Sequence, residues 1–201
     1  MTTTTTTRSR HWFWRDEEPE WPVVALVLLA LLLGAVLAIA VRGQVRTVSA
    51  DGITISYPAT WSSAVALPAD ADGALVNAGE MSGRATLSLR VLRQLDPAKP
   101  VSMDALIAQR SFDRAQAETM YRVLSSADAQ VGGKDAVAVT YAYVNEPRTT
   151  AYQSSLPVVM EGVDYILVHN GKVYVLTMEA PAAEFESRSA TFARIARSVR
   201  L

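Results

Sequence analysis

The feature that most constrains this 201-residue chain is a run of nineteen consecutive apolar positions at residues 23–41. As a helix with a rise of about 1.5 Å per residue, this run is about 28 Å long, which matches the hydrocarbon core of a bilayer. Thirteen of its residues are Leu, Val or Ile, and each favours insertion near the membrane centre by about 0.3 to 0.6 kcal/mol. Lipid cannot satisfy unpaired backbone groups, so a single segment must span as a helix. The run therefore predicts one transmembrane helix at 22–42.

A cleaved signal peptide is the alternative interpretation of the apolar run. The run ends in Ala38-Ile39-Ala40, a small-x-small pattern of the kind that signal peptidases read. Its length, however, exceeds the roughly 7 to 15 residues of a signal's apolar region, and an acidic cluster at 16–20 occupies the place where a signal is positively charged. We therefore expect the helix to remain in the mature protein.

Aromatic and basic side chains flank the predicted helix in the manner of interfacial anchors. We assign this role to Trp12, Phe13, Trp14, Trp21 and Arg42. Three arginines precede the helix and two follow it closely. By the positive-inside rule this distribution favours a cytoplasmic N-terminus and an extracytoplasmic C-terminal domain in the cell membrane. The lipid bilayer is thus the first expected partner.

The rest of the chain predicts a short, partly disordered tail at 1–21, a tether at 43–50 and one globular domain at 51–201. A domain of that length is large enough to bury its own core. The net charge is only −1 and no basic block occurs, so nucleic acid is not expected as a partner. The chain has no cysteine, which excludes disulfides, thiolate zinc sites and thiolate nucleophiles.

Changes in hydrophobic periodicity predict an α+β domain. Residues 53–57 and 85–91 alternate apolar and polar side chains, which predicts two strands, and Trp61 is expected to complete the core face of the first. Ser102 is a good N-cap, and helical spacing of apolar residues follows it to about residue 117.

Two hairpins and a closing helix complete the predicted domain. The strand pairs are 121–131 with 135–144, joined at Gly132-Gly133, and 158–168 with 173–178, joined at Asn170-Gly171. The Asn-Gly dipeptide favours a type I′ turn. Pro181 then begins an amphipathic helix. The order of strands, helix, four strands and helix predicts an antiparallel sheet covered by helices, an α/β/α-type sandwich.

The opening strand motif Ile53-Thr-Ile-Ser-Tyr57-Pro58-Ala-Thr-Trp61 and this element order resemble the PsbP-like superfamily, which includes the bacterial DcrB-like proteins. The hairpin at 131–136 and the closing Ile195-Ala-Arg-Ser198 are similar to the family pattern as well. The resemblance implies an extracytoplasmic and mostly non-enzymatic accessory protein, since some members bind or assemble photosynthetic or other membrane complexes. A retained spanning helix distinguishes this chain from the members of the family that are lipidated or cleaved.

The candidate chemical groups are few. His169 lies beside the Asn170-Gly171 turn, where a histidine is usually solvated, and the other histidine, His11, precedes the membrane helix. Asp70-Ala-Asp72-Gly73 resembles the start of a calcium loop but lacks the third acidic position and the closing glutamate. We therefore expect no metal site, no cofactor and no catalytic residue.

Two acids in one hairpin strand, Glu161 and Asp164, have the residue types of a catalytic carboxylate pair. Acidic side chains are also ordinary on the solvated face of an antiparallel sheet, and we expect both acids to lie there. The sequence contains no phosphate-binding loop and no nucleophile elbow.

Three hypotheses of function follow. The first, which we favour, is a non-enzymatic accessory or assembly subunit that binds a larger integral membrane protein complex, of bioenergetic or photosynthetic type. The second is a hydrolase that uses His169 and nearby carboxylates. The third is a carrier of a lipophilic ligand between the sheet and a helix.

Overall fold

The computed structural model describes residues 21–63, 74–98, 101–146 and 156–201 of the chain. Within these residues the elements are α1 (Trp21–Arg42), β1 (Val45–Ala50), β2 (Ile53–Pro58), β3 (Trp61–Ser62), β4 (Val76–Glu80), β5 (Thr86–Gln94), α2 (Met103–Ala117), β6 (Thr119–Val131), β7 (Lys134–Asn145), β8 (Val158–His169), β9 (Lys172–Pro181) and α3 (Ala182–Ser198).

Helix α1 forms where the apolar run predicts it. Its window Trp21–Ala38 has a mean hydropathy of 2.7 and no buried side chain, so α1 is long and apolar enough to cross a membrane. Trp21 is the first residue of the helix and is exposed, and Arg42 is the last. The other three predicted anchors, Trp12, Phe13 and Trp14, lie outside the described residues.

The predicted tether at 43–50 is wrong for most of its length. Strand β1 occupies Val45–Ala50 and pairs antiparallel with β2. It is a strand because it closes a hairpin at Asp51-Gly52, where both residues have positive φ, and because Val48 packs against the core. The compact unit is therefore Arg42–Leu201, which begins before the predicted boundary at 51.

A seven-stranded antiparallel sheet has the order β3-β4-β5-β9-β8-β7-β6, and β1 and β2 form a separate two-stranded sheet. Both predicted hairpins are present. Asn170 and Gly171 have φ angles of 49° and 72°, as a type I′ turn requires. Strand β4 is not predicted, because it is short and contains a glycine.

The alternation of side chains along the strands gives the large sheet two covered faces. Helix α3 packs on one face with Leu87, Leu176, Phe192 and Ile195, and Trp61, only 4% exposed, belongs to the same cluster as predicted. Helix α2 packs on the other face, where the buried residues are Leu106, Val139, Ile166, Val173 and Val175. An α+β fold with helices on both faces of an antiparallel sheet is confirmed.

Candidate functional site

Helix α2 carries two buried arginines on the side that faces the sheet. Its buried residues Leu106, Arg110 and Arg114 recur every four positions, which places them on one stripe of the helix. The helix starts at the predicted N-cap, where the Ser102 hydroxyl accepts a hydrogen bond from the backbone N–H of Ala105 at 3.2 Å. The cap fixes where the helix begins, and the periodicity then directs both guanidiniums inward.

The sheet presents acidic and hydroxyl side chains beneath these arginines. Asp164 of β8 lies opposite Thr177 of β9, and Gly162 lies opposite both Glu179 of β9 and Tyr141 of β7. Residues two apart on one strand share a face, so all of these positions point toward α2. We call Arg110, Arg114, Tyr141, Asp164, Thr177 and Glu179 the α2 ionic cluster.

Arg114 joins the two acids of the α2 ionic cluster. Its Nη1 lies 2.9 Å from Oε1 of Glu179, and its Nε and Nη2 lie 3.3 and 3.4 Å from the two carboxylate oxygens of Asp164. Arg110 Nε lies 2.7 Å from Oδ2 of Asp164. Glu118, which is 14% exposed, lies 3.8 Å from the same Nη1 atom of Arg114, so the two guanidiniums face two buried carboxylates and one partly exposed carboxylate.

Hydroxyl groups satisfy further lone pairs of both acids. The Thr177 hydroxyl donates to Asp164 at 2.6 Å, and the Tyr141 hydroxyl donates to Glu179 at 2.7 Å. Tyr143 donates to the second oxygen of Glu179 at 3.2 Å. Buried carboxylates are tolerated when they are both paired with a cation and hydrogen-bonded, and these two acids meet both conditions.

Gly162 makes room for the central tyrosine of the cluster. A Cβ atom at this position would lie 2.5 Å from Cζ and from the hydroxyl oxygen of Tyr141. The ring therefore crosses β8 directly over the glycine on its way to Glu179 of β9. The Arg114 guanidinium lies 4.3 Å from the centre of the same ring, at a cation–π distance.

The surroundings shift the pKa of Asp164 and Tyr141 in the cluster and of Tyr143 beside it. Burial by itself would raise the pKa of Asp164, but the guanidiniums of Arg114 and Arg110 and the Thr177 hydroxyl outweigh burial and lower that pKa to about 2. Burial, reinforced by neighbouring carboxylates, raises the pKa of Tyr141 and of Tyr143 well above the ordinary value for tyrosine. A general acid or base needs a pKa near the working pH, so none of these three groups is suited to proton transfer.

A shallow cleft of about 250 Å³ borders the cluster between α2 and β5. Its lining residues are Arg90, Val91, Leu92, Arg110, Asp113 and Arg114. Pockets for drug-sized ligands measure about 300 to 1,000 Å³ and are mostly apolar, so this small, charged cleft does not suit a lipophilic molecule.

The predicted solvated position of Asp164 is wrong. Asp164 is only 1% exposed, because it lies on the face of β8 that α2 covers. Glu161 lies three residues away and therefore projects from the opposite face of the strand, where it is partly exposed. The two acids do not form a pair.

The structure does not bring His169 to the α2 ionic cluster. It is the last residue of β8, and alternation along the strand places it on the face opposite Asp164. Asp70 and Asp72 lie outside the described residues, and within the described part of the chain no three His, Cys, Asp or Glu side chains group closely enough to hold a metal.

Sequence reasoning missed the α2 ionic cluster, although two signals for it exist. Arg110 and Arg114 continue the inward stripe that Leu106 begins, and each acid interrupts an apolar strand, Asp164 in β8 and Glu179 in β9. A charged residue at a core position predicts an opposite charge nearby. The sequence alone does not say which acid meets which arginine.

No protein-family model matches the sequence, and no curated protein matches it significantly. Solved structures, by contrast, match this chain in fold. The solution structure of the cyanobacterial PsbP protein (CyanoP) of Synechocystis sp. PCC 6803 is 12% identical, with a TM-score of 0.54 over 78% of this chain and 92% of that chain. LpqN of Mycobacterium tuberculosis, involved in cell envelope biogenesis, is 14% identical, with a TM-score of 0.46 over 78% and 90% of the two chains. The Saccharomyces cerevisiae Ran-binding protein Mog1p is 13% identical, with a TM-score of 0.42 over 78% and 95%.

The fold assignment rests on CyanoP, which has the highest TM-score of these three structures. At 12% identity the likeness concerns the path of the backbone and carries no information on activity. It agrees with the antiparallel sheet between two helices described above. The globular domain of this chain has the PsbP-like fold that its opening strand motif predicts.

Proposed function

We propose that this chain is a membrane-anchored accessory protein whose PsbP-like domain binds a larger integral membrane protein complex without catalysing a reaction. The observation that carries the proposal is the junction between the two parts. Helix α1 ends at Arg42 and β1 begins at Val45, so a span-length apolar helix leads almost directly into a folded domain. Anchoring on so short a connection raises the effective concentration of the domain toward membrane partners.

The chemistry of the α2 ionic cluster supports binding rather than catalysis. Asp164 remains ionised down to a pKa of about 2 and already accepts hydrogen bonds from both arginines and from Thr177. These bonds hold α2 against the sheet and leave the carboxylate engaged. A rigid domain that presents fixed surfaces fits an assembly or accessory role.

The orientation that we propose places the N-terminus in the cytoplasm and the domain on the extracytoplasmic face. It is motivated by the arginines at positions 8, 10 and 15 before the helix, against Arg42 at its last position and Arg46 after it. CyanoP, whose fold this domain shares, is a PsbP protein, and a bioenergetic or photosynthetic complex is accordingly the partner class to search first.

Copurification from gently solubilised membranes tests the proposal. Three forms are compared: the full chain, a form without residues 1–41, and a form in which α1 is exchanged for an unrelated apolar span. We expect the exchanged form to retain the same membrane protein partner and the truncated form to lose most of it, because proximity supplies part of the affinity.

The competing hydrolase hypothesis predicts a different result. The full chain would then run as a lone monomer in mild detergent and show an activity that His169→Ala abolishes. A full chain without any membrane protein partner contradicts the proposed function.

A further inference from the structure

One edge of the large sheet is formed by a long and exposed strand. Strand β6 is the last strand in the order of the sheet, so it has β7 on one side only. Among the described residues, no backbone group outside β7 bonds to β6. All residues of β6 except Tyr121, Ala129 and Val131 are exposed. The strand at the other edge of the sheet, β3, has only two residues.

The two halves of β6 differ in how they pair with β7. The register shifts twice before Ser125, so the first half of the strand is bulged. Bulges bend and twist a strand, and native edge strands use them to avoid pairing with other chains. Residues 125–131 pair in regular register, and their sequence SSADAQV contains no proline and no lysine. This half carries one device against pairing, the charge of Asp128.

The turn that follows β6 determines which backbone groups of residues 125–131 point away from β7. Its two glycines, 132 and 133, have φ angles of 58° and 75°, as in a two-residue type I′ turn. In such a turn the flanking residues, here Val131 and Lys134, bond to each other. Along an antiparallel pair, residues that bond to the neighbouring strand alternate with residues whose N–H and C=O point away from it. The residues with outward backbone groups are therefore Ser126, Asp128 and Gln130.

The spacing of these outward groups matches another strand. Two residues of a strand rise by about 7 Å, so the N–H and C=O pairs repeat at the interval at which an antiparallel neighbour presents its own. A segment of seven residues is also as long as an ordinary strand of a sheet. An extended peptide that joins an open edge gains main-chain hydrogen bonds, while pockets for alternate side chains supply specificity. The backbone of this edge therefore selects an extended chain as its ligand.

The charges along this edge indicate what that chain carries. Asp128 is exposed and is the one charged residue within 125–131. Gln130 lies opposite Asp135 of β7, so Asp135, also exposed, is a diagonal neighbour of Asp128 on the same face of the sheet. Lys134 projects from the opposite face. A strand beside β6 with Lys or Arg opposite Asp128 would gain an opposite-charge pair.

A second copy of this chain fits the same edge less well. An antiparallel pair of copies that uses the whole regular segment 125–131 is centred on Asp128. This carboxylate would then lie directly opposite its own equivalent, and like charges at that position destabilise a strand pair. A pair centred on any other residue uses fewer of the regular positions. The edge therefore favours a strand from a different protein.

We propose that residues 125–131 bind an extended segment of a partner protein as an eighth strand of the sheet, with a Lys or Arg of that segment opposite Asp128. The inference rests on the proposed function, because it assigns the surface by which the accessory domain holds its complex. Outward N–H and C=O groups of β6 bond to the segment. On the other face of the strand, the small side chains of Ser125, Ala127 and Ala129 leave room for the side chains of the segment.

Variants at position 128 separate the backbone contribution from the charge. Asp128→Pro removes an outward N–H donor and keeps the hydrogen bonds between β6 and β7, since proline is tolerated on an edge where the N–H faces solvent. Asp128→Lys keeps the donor and reverses the charge, and Asp128→Glu is the matched control. Each full-length protein is copurified from gently solubilised membranes. We expect Asp128→Pro and Asp128→Lys to retain about fivefold less partner than wild type, and Asp128→Glu to retain nearly as much.

Thermal melting of the same proteins shows whether each variant folds. If Asp128→Pro does not fold, Asp128→Lys still decides the test, because it alters only an exposed side chain.

Photocrosslinking in native membranes identifies the occupant of the edge. The photoreactive amino acid p-benzoylphenylalanine replaces Ala127 on β6 or, as a control, Met81, which is 88% exposed in the turn after β4 on the other side of the sheet. We expect position 127 to crosslink to one segment of a membrane protein that contains Lys or Arg, and position 81 not to reach that segment.

The outcomes distinguish this inference from the proposed function. A partner that wild type and all three variants retain equally contradicts the binding at β6 and leaves the accessory role in place. A crosslinked product with twice the mass of the chain identifies a second copy as the occupant and overturns the inference. A full chain without any protein partner contradicts both the inference and the proposed function.

Discussion

Asp164 shows how one buried acid can organise the contact between a helix and a sheet. It accepts hydrogen bonds from Arg110 and Arg114 of α2 and from Thr177 of the neighbouring strand. The desolvation of buried ions offsets much of their attraction, so the cluster need not add much net stability over an apolar contact. Removing a single member of the cluster is strongly destabilising, because the remaining charges would then be buried without partners.

We expect Asp164→Asn to lower the free energy of unfolding by about 3 to 5 kcal/mol, because both arginines would lose their common counter-charge. The measurement is urea denaturation of the full-length protein in detergent. The matched control is Glu161→Gln on the other face of the same strand, which should change the free energy by no more than about 0.5 kcal/mol. Equal losses from the two variants would show that Asp164 does not organise the cluster.

The pKa of Asp164 also predicts how stability changes in acid. Its folded-state pKa of about 2 lies below the ordinary value of 3.8, so the ionised carboxylate stabilises the fold above about pH 4, and that contribution is lost as pH falls toward 2. The shift corresponds to about 2 kcal/mol. Wild type should therefore lose more stability than Asp164→Asn between pH 5 and 2. Parallel pH curves for the two proteins would contradict the assigned pKa.

The sequence predicts Trp61 as a core residue but not the buried position of Asp164, and the reason is the range of the interactions. The apolar alternation that places Trp61 is local. Asp164, by contrast, is buried by partners that lie 50 and 54 positions earlier in the chain. On local evidence an aspartate in an antiparallel strand belongs on the solvated face.

At the scale of elements, local signals set the boundaries that agree with the structure. The N-cap Ser102 predicts the start of α2, and Asn170-Gly171 predicts the turn between β8 and β9. Strands β1, β3 and β4 are missed, because each is short and depends on pairing with a neighbouring strand. Pairing of that kind leaves little trace in hydrophobic periodicity.

Ser102→Ala should destabilise the protein by about 0.5 to 2 kcal/mol, because the backbone N–H of Ala105 loses its hydrogen-bond acceptor. Ser102→Asp keeps an acceptor at the N-cap and should preserve most of the stability. The urea midpoints of the three proteins check this. If aspartate destabilised as much as alanine, the cap would not be the feature that begins α2.

At the scale of the whole molecule, two parts of different character share one chain. Helix α1 exposes apolar side chains along its described length, whereas the unit Arg42–Leu201 buries its own cores on both faces of a sheet. The apolar run and the opening strand motif together predict this division and the fold.

Trp61→Ala should lower the free energy of unfolding of the full-length protein by about 3 to 5 kcal/mol, and its melting temperature by many degrees. Trp61 is 4% exposed and packs in the α3-side core. Thermal unfolding followed by circular dichroism measures the change. Phe112→Ala is a control of similar size, since Phe112 is exposed on α2 and should move the melting temperature much less. An unchanged melting curve for Trp61→Ala would remove its core role.

Retention of α1 is the central claim of this account, because the accessory role depends on an anchored chain. Intact-mass measurement of the mature protein, isolated from carbonate-washed membranes, tests it most directly. We predict a mass that includes residues 23–41 and a protein that stays with the membrane after the wash. A mature chain that begins at Val41 and washes off with carbonate would show a cleaved signal peptide and contradict the account.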